Sequence, residues 1–390
     1  MTRPPSALGA QREVLFGRSW PVGIAAVVVA TINVFLFAFD RPWTASDGMR
    51  HWGDWLFTGL RIMDRPDLVA PWLHSGSLLN LGVLFGGAAA ALSAREFGIR
   101  VPAGGELAKG AVGGSLMGVG SMLAFGCNIG GFFSAISALS LAGFGMMLGL
   151  GVGAVLGLRY LLWELEHHPD WSRGRGDAAA TGRRVGGQRV LGALMLAALV
   201  AAPFVYAAAG YPKQGVVLLF GAAFGVVFQR SRFCLVRAFR EPFMTGEASH
   251  TRAAALALVL STLGFAILKY TDAKDRAEWV FAAAGIGALL GGTLFGAGMT
   301  LAGGCGAGSI WRAGEGQVKL WAALGTFAIA ASLTRLTLSE SGALGKLGAA
   351  VFLPSVLGWG GAIVLVVVVM GAWALAATWN EEARKFSALD

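Results

Sequence analysis

Three cysteines, Cys127, Cys234 and Cys305, are the residues of this 390-residue chain best suited to do chemistry. They are too few and too far apart for a disulfide framework or a CxxC-type zinc site. Two of them lie in copies of one pattern. Residues 113–130 read GGSLMGVGSMLAFGCNIG and residues 291–308 read GGTLFGAGMTLAGGCGAG; at an offset of 178, ten of eighteen positions are identical and Cys127 aligns with Cys305. Gly126 and Gly304 precede the two cysteines, and Asn128 and Gly306 follow them. Glycine lets a helix end and turn, so both segments read as helix breaks that line a path. A helix restarting after either cysteine aims its N–H groups and positive dipole at that path, which suits an anion. A thiol kept from water stays uncharged unless a positive field opposes burial, and a neutral S–H is a weak donor. Such groups fit a large, polarisable anion, and several in series give weak successive sites that permit passage.

An isolated membrane cysteine is ordinarily a small apolar side chain; the repeat and the glycine breaks argue for a lining role at Cys127 and Cys305. Asn128 reads either as a donor to substrate or as a helix cap. Cys234 lies in FQRSRFCLVRAFRE among Arg230, Arg232, Arg237 and Arg240, which read as cytoplasmic charges or as groups favouring anion exit. Arg312 and Glu315, three apart, are expected to pair on a helix. His51, His74, His167, His168 and His250 show no ligand-like spacing, and His51 has no evident partner. No GxxxxGK[ST] motif is present, which argues against ATP hydrolysis. No metal and no cofactor are expected.

The elements that must hold these residues are membrane helices. Of all residues, 55% are hydrophobic and 14% charged, with a mean hydropathy of +0.64. A soluble domain carries about 25% charge, so a soluble enzyme, a nucleic-acid binder and a disordered chain are excluded. The net charge of +9 is read as a topology signal rather than a nucleic-acid footprint. Stretches without Asp, Glu, Lys or Arg cover 19–39, 68–94, 110–158, 190–212, 214–229, 253–268, 279–311, 320–334 and 347–380. A crossing needs about 20 apolar residues, so 110–158 holds two crossings, while 214–229, 253–268 and 320–334 must borrow flanking residues. Arg3, Arg12 and Arg18 precede a first helix too long for a cleaved signal.

Placing the Arg/Lys-rich loops in the cytoplasm yields an all-α polytopic membrane protein of about ten crossings with both termini inside. External connections are then 40–77, a turn near 138, 210–213, 271–278 and 339–350. The stretch 41–77 reads as external, with an interfacial piece near Trp52–Arg61. The chain divides into an N-terminal half, 1–162, a cytoplasmic linker, 163–189, and a C-terminal half, 190–390. The repeats run in opposite directions across the bilayer, an architecture of transporters that channels share in related form, so the pattern does not separate the two.

The segments GCNIGGFF (126–133), QRSRFCLVRAFRE (229–241) and LAGGCGAGSIWRAGEGQVKLW (301–321) resemble the YeeE/YedE family, most nearly its YedE branch, over roughly 78–335. The resemblance implies an inverted-repeat bundle with re-entrant helices, cysteines at a central constriction, and uptake of thiosulfate or another sulfur or selenium species. By motif it places the two G-C cysteines at Cys127 and Cys305 and the R-F-C cysteine at Cys234. It also implies a bacterial inner membrane and a small TusA-like sulfur carrier as cytoplasmic partner. The segment 84–100 offers no cysteine to mirror Cys234, Ile99 or a neighbour standing there. The leading expectation is a permease for a small sulfur or selenium anion, not an enzyme. The alternatives are a relay that passes a persulfide-type species to the carrier and a purely structural membrane protein.

Overall fold

A computed structural model describes residues 13–168, 187–384 and 386. The expected linker falls largely outside them, as do Arg3 and Arg12. The described residues form fourteen principal helices and no β-strand. In chain order they are α1 (Val22–Phe39), α2 (Ala45–Gly59), α3 (Ser75–Ala94), α4 (Gly104–Leu123), α5 (Asn128–Ser137), α6 (Leu141–His167), α7 (Gln188–Ala208), α8 (Pro212–Ser231), α9 (Leu235–Met244), α10 (Ser249–Tyr270), α11 (Ile286–Ala302), α12 (Gly306–Gly314), α13 (Val318–Glu340) and α14 (Leu353–Ala383). Among the described residues nine segments are long and apolar enough to cross a membrane, or ten if the bent pair α4–α5, angled by 42°, is one span. The three short charge-free runs do borrow flanking residues: they become α8, α10 and α13.

Glycines at four-residue spacing explain how these helices pack. Gly110, Gly114 and Gly118 of α4 lie against Lys319, Ala323 and Phe327 of α13, and Gly149, Gly153 and Gly157 of α6 lie against Leu289, Thr293 and Ala297 of α11. Numbers rise together in both pairs, so each runs parallel. Small residues one turn apart let backbones meet, which drives packing where lipid is as apolar as the side chains. Helices α4 and α11, the two copies of the sequence repeat, run antiparallel, with Gly113 against Gly298 and Gly120 against Gly291.

The order long, short, long, long, short, long occurs twice, as α1–α6 and as α8–α13. Helices α7 and α14 have the least of their apolar surface covered by the protein and present Phe204 and Leu375 outward at 75% and 72% exposure. Helix α2, in the stretch after α1, has one buried face, with Met49, His51 and Asp54 packed against α3 and α13, while Trp55, Leu56 and Leu60 are exposed. Arg50 and Asp54 neutralise each other at 2.5 Å, so the buried face can carry charge.

Candidate functional site

The two glycine breaks, together with the turns at Thr44 and Cys234, set four helix N-termini around one buried cluster. Cys127 is the N-cap of α5 with φ −76° and ψ −178°, and Cys305 is the N-cap of α12 with φ −82° and ψ −176°. Two residues ahead, Phe125 and Gly303 turn the chain through left-handed backbone at φ 58° and 75°. The offset of 178 therefore holds for geometry as well as for sequence. Cys234 caps α9 and Thr44 caps α2, both extended, at φ −151° and −139°. All three cysteines are buried and free.

Their surroundings pair up. Thr44 Oγ1 lies 3.6 Å from Cys127 Sγ, and Ser46 Oγ accepts the Cys127 N–H at 3.1 Å. In the other half the Cys234 and Cys305 sulfurs both flank Gly308, and Cys305 Sγ accepts the Gly308 N–H at 3.2 Å. Thr44, rather than a residue of 84–100, is the positional mate of Cys234. The first turn of α12 joins the halves. A Cβ at Gly306 would sit 3.4 Å from Cys127 Cβ and 3.5 Å from its sulfur, and one at Gly308 would sit 3.2 Å from Cys305 Sγ and 3.6 Å from Cys234 Sγ. Gly126 and Gly304 are required by close approach, since added Cβ atoms would press on Gly130 at 2.9 Å and on Ser309 Oγ at 2.8 Å.

Asn128 is buried in the cluster and faces the Cys305 sulfur. It is not a cap, because Cys127 holds that place. Neither its amide nitrogen nor its oxygen has a hydrogen-bond partner of good geometry. A buried amide left so is costly, and the arrangement leaves it ready to bond a solute beside the thiols. The converging N-termini add partial positive charge without a formal cation.

On the α3–α8 side of the cluster the arginines are engaged with carboxylates. Arg232 bonds Glu315 at 2.7 Å and Glu96 at 2.8 Å, and Gln229 donates to Glu315 at 3.0 Å and Glu96 at 2.7 Å. Arg230 reaches Glu96, and Arg237 and Arg240 bond Glu247 and Glu241. Glu315 thus pairs with Arg232 rather than with Arg312, whose Nη1 donates to the Gly303 carbonyl at 2.8 Å. That bond steadies the turn into Cys305.

On the opposite side a cavity of about 510 Å3 reaches Thr44 and Ser46. Beside it His51 does have partners. It stacks on His74 with ring centroids 3.9 Å apart, bonds the Val69 carbonyl through Nε2 and faces Ser77 Oγ through Nδ1, each at 2.8 Å. A search confined to cysteines misses Thr44 and Ser46; Trp43-Thr44 matching Phe233-Cys234 is the signal that finds them. Among the described residues no group of three or more His, Cys, Asp or Glu could hold a metal ion.

Comparison with known proteins identifies the family. The sulphur transport family model matches residues 2–156 and 230–389. The chain is 29% identical to the probable transporter YedE of Salmonella typhimurium over 325 residues, 77% of each protein. It is 29% identical to the probable transporter YedE of Escherichia coli over 262 residues, 65% of this chain and 63% of the relative. A shorter stretch of 122 residues, 30% of the chain and 33% of the relative, is 34% identical to the Escherichia coli thiosulfate transporter TsuA. The chain belongs to the sulphur transport family, the YeeE/YedE membrane proteins.

Proposed function

We propose that this chain is a multi-pass inner-membrane transporter that takes up thiosulfate or a related sulfur or selenium anion past Cys127, Cys305 and Cys234. The observation that carries the reading is the buried meeting of three thiols, Thr44 and the unpartnered Asn128 at four converging helix N-termini. Two inverted halves, roughly 1–162 and 190–390, surround that point, and both termini lie in the cytoplasm. The antiparallel packing of α4 and α11 supports the inversion.

The anion loses water on reaching the cluster and gains soft S–H donors and helix dipoles. A hydrogen bond to a charged group contributes about 1.5–3 kcal/mol, and a thiol contributes less. Each contact is then weak enough to be exchanged for the next, from Cys127 with Thr44 to Cys305 with Cys234. Gly126, Gly304 and Gly306 keep the backbone close to the solute. The test is uptake of 35S-thiosulfate by proteoliposomes carrying the full chain. Uptake is expected to collapse in the Cys127→Ala/Cys305→Ala double variant, and wild-type rates there would remove the mechanism.

The neighbouring sulfurs of Cys234 and Cys305 beside Gly308 also support a relay. A thiolate attacking the outer sulfur of thiosulfate forms an S–S bond and releases sulfite, leaving a persulfide for a TusA-like carrier. A covalent mass increase of one sulfur after exposure to thiosulfate selects the relay; an unmodified chain with intact uptake selects permeation.

A further inference from the structure

The cavity that ends at Thr44 and Ser46 has four arginines in its wall, Arg41, Arg50, Arg65 and Arg335, against two aspartates, Asp47 and Asp54. The pairings are uneven. Arg41 bonds Asp47 at 2.5 Å, and Arg50 bonds Asp54 at 2.5 Å while reaching Asp47 at 3.4 Å. Asp54 also accepts the Ser332 hydroxyl at 2.5 Å. Both carboxylates are thereby occupied. Among the described residues Arg65 pairs only with Asp67, at 4.0 Å, and that carboxylate is 82% exposed. Arg335 has no hydrogen bond or ion pair among the described residues, and its guanidinium lies 5.9 Å from the ring centroid of Phe125, two residues ahead of Cys127.

Two guanidiniums are thus left to a mouth whose other walls include Met122, Phe125 and Trp279. Apolar walls concentrate the field of such charges and draw counter-ions in. Guanidinium forks match oxyanions bidentately, which ammonium groups do not. The thiols beyond them favour soft sulfur, whereas the arginines favour hard oxygen and a double charge. We infer that Arg335 and Arg65 form an outer binding site for a divalent tetrahedral oxyanion, filled before the anion meets Cys127. The site deepens the transport reading above and rests on it. It accepts sulfate as well as thiosulfate, so choice between the two is made further in, at the thiols.

The experiment uses the full chain in proteoliposomes for 35S-thiosulfate uptake and in detergent for equilibrium dialysis with 35S-sulfate. Sulfate is expected to inhibit thiosulfate uptake competitively. Arg335→Gln and Arg65→Gln are each expected to raise KM for thiosulfate about tenfold, the effect of one lost charge-assisted hydrogen bond, with kcat largely kept. Sulfate inhibition weakens in parallel, and the dependence of KM on ionic strength becomes shallower. Arg335→Lys retains the charge and part of the affinity, which separates charge from a folding defect. The Cys127→Ala/Cys305→Ala chain still binds sulfate as the wild type does. A KM and a sulfate affinity unchanged in both Gln variants would overturn the outer site, as would loss of sulfate binding in the double cysteine variant. If the wild type admits no thiosulfate yet binds sulfate in an Arg335-dependent way, the transport reading falls and the outer site stands.

Discussion

Replacing Gly291 with alanine drives apart the two helices that end in the cysteine breaks. The new Cβ would stand 2.6 Å from the Gly120 carbonyl oxygen and 2.7 Å from the Ala124 nitrogen, both rigid helix backbone. Ordinary contact begins at 3.4 Å, so α4 and α11 must separate by about 0.8 Å, the difference between 3.4 and 2.6. Overpacking of this kind costs about 1–3 kcal/mol. Movement reaches the site directly, because Ala124 ends α4 three residues before Cys127, and Gly306 touches Cys127 across the same seam. The purified chain is therefore expected to melt several degrees lower and to take up thiosulfate more slowly. Gly325→Ala is the control: nothing lies within 4 Å of its added Cβ, and its melting temperature should hold or rise slightly. If Gly291→Ala matched Gly325→Ala in both measurements, the close approach of α4 and α11 would be refuted.

Glu315→Gln removes the buried carboxylate charge that faces Arg232, and a loss of about 1–3 kcal/mol is expected by denaturant or thermal unfolding; unchanged stability would show the network to be incidental. Lys269 donates to the carbonyls of Ala138, Arg276 and Glu278 at 3.0, 3.1 and 2.6 Å, tying the end of α5 to the connection after α10. Lys269→Met orphans all three and should cost about 2–4 kcal/mol, read as a lower melting temperature. Stability should also fall in mild acid. Burial holds the His74 pKa down at about 4, against the opposing pull of Asp47, whereas the unfolded chain binds that proton near 6.5. His74 is therefore neutral in the fold, and its contribution is full above pH 6.5 and lost as pH falls from there to about 4, by up to about 3 kcal/mol. His74→Asn keeps an acceptor for the Ser77 N–H and should flatten that decline; an equal slope in the variant would contradict it. Burial opposes ionisation of Asp47, but Arg41, His74 and Arg50 outweigh it and lower its pKa to about 2, so its contribution fails only below pH 4.

The long helices were legible because lipid demands uninterrupted apolar runs, and Cys127 and Cys305 because a rare residue recurred inside a repeat. The cysteine set was only half the story. Thr44 occupies the position of Cys234 but carries oxygen, so a search for thiols passed over it. The buried face of helix α2 was not legible because Arg50, His51 and Asp54 look solvent-bound one by one, while in the fold they satisfy each other and Ser77 and Ser332. Glu315 chose Arg232 over Arg312 because α8 and α12 bring Arg232 nearer than the helical neighbour, a tertiary preference that spacing along one helix does not encode. The arginines of the mouth were invisible for the same reason. Arg335 ends a helix far along the chain from Arg65, and only folding sets them around one volume.

The substitution of a hydroxyl for a sulfhydryl between Thr44 and Cys234 has a kinetic consequence. On the pathway proposed above, two stations that differ in polarisability would hold an ion for unequal times, so saturation should set in at different concentrations when the same vesicles are loaded from within or from without.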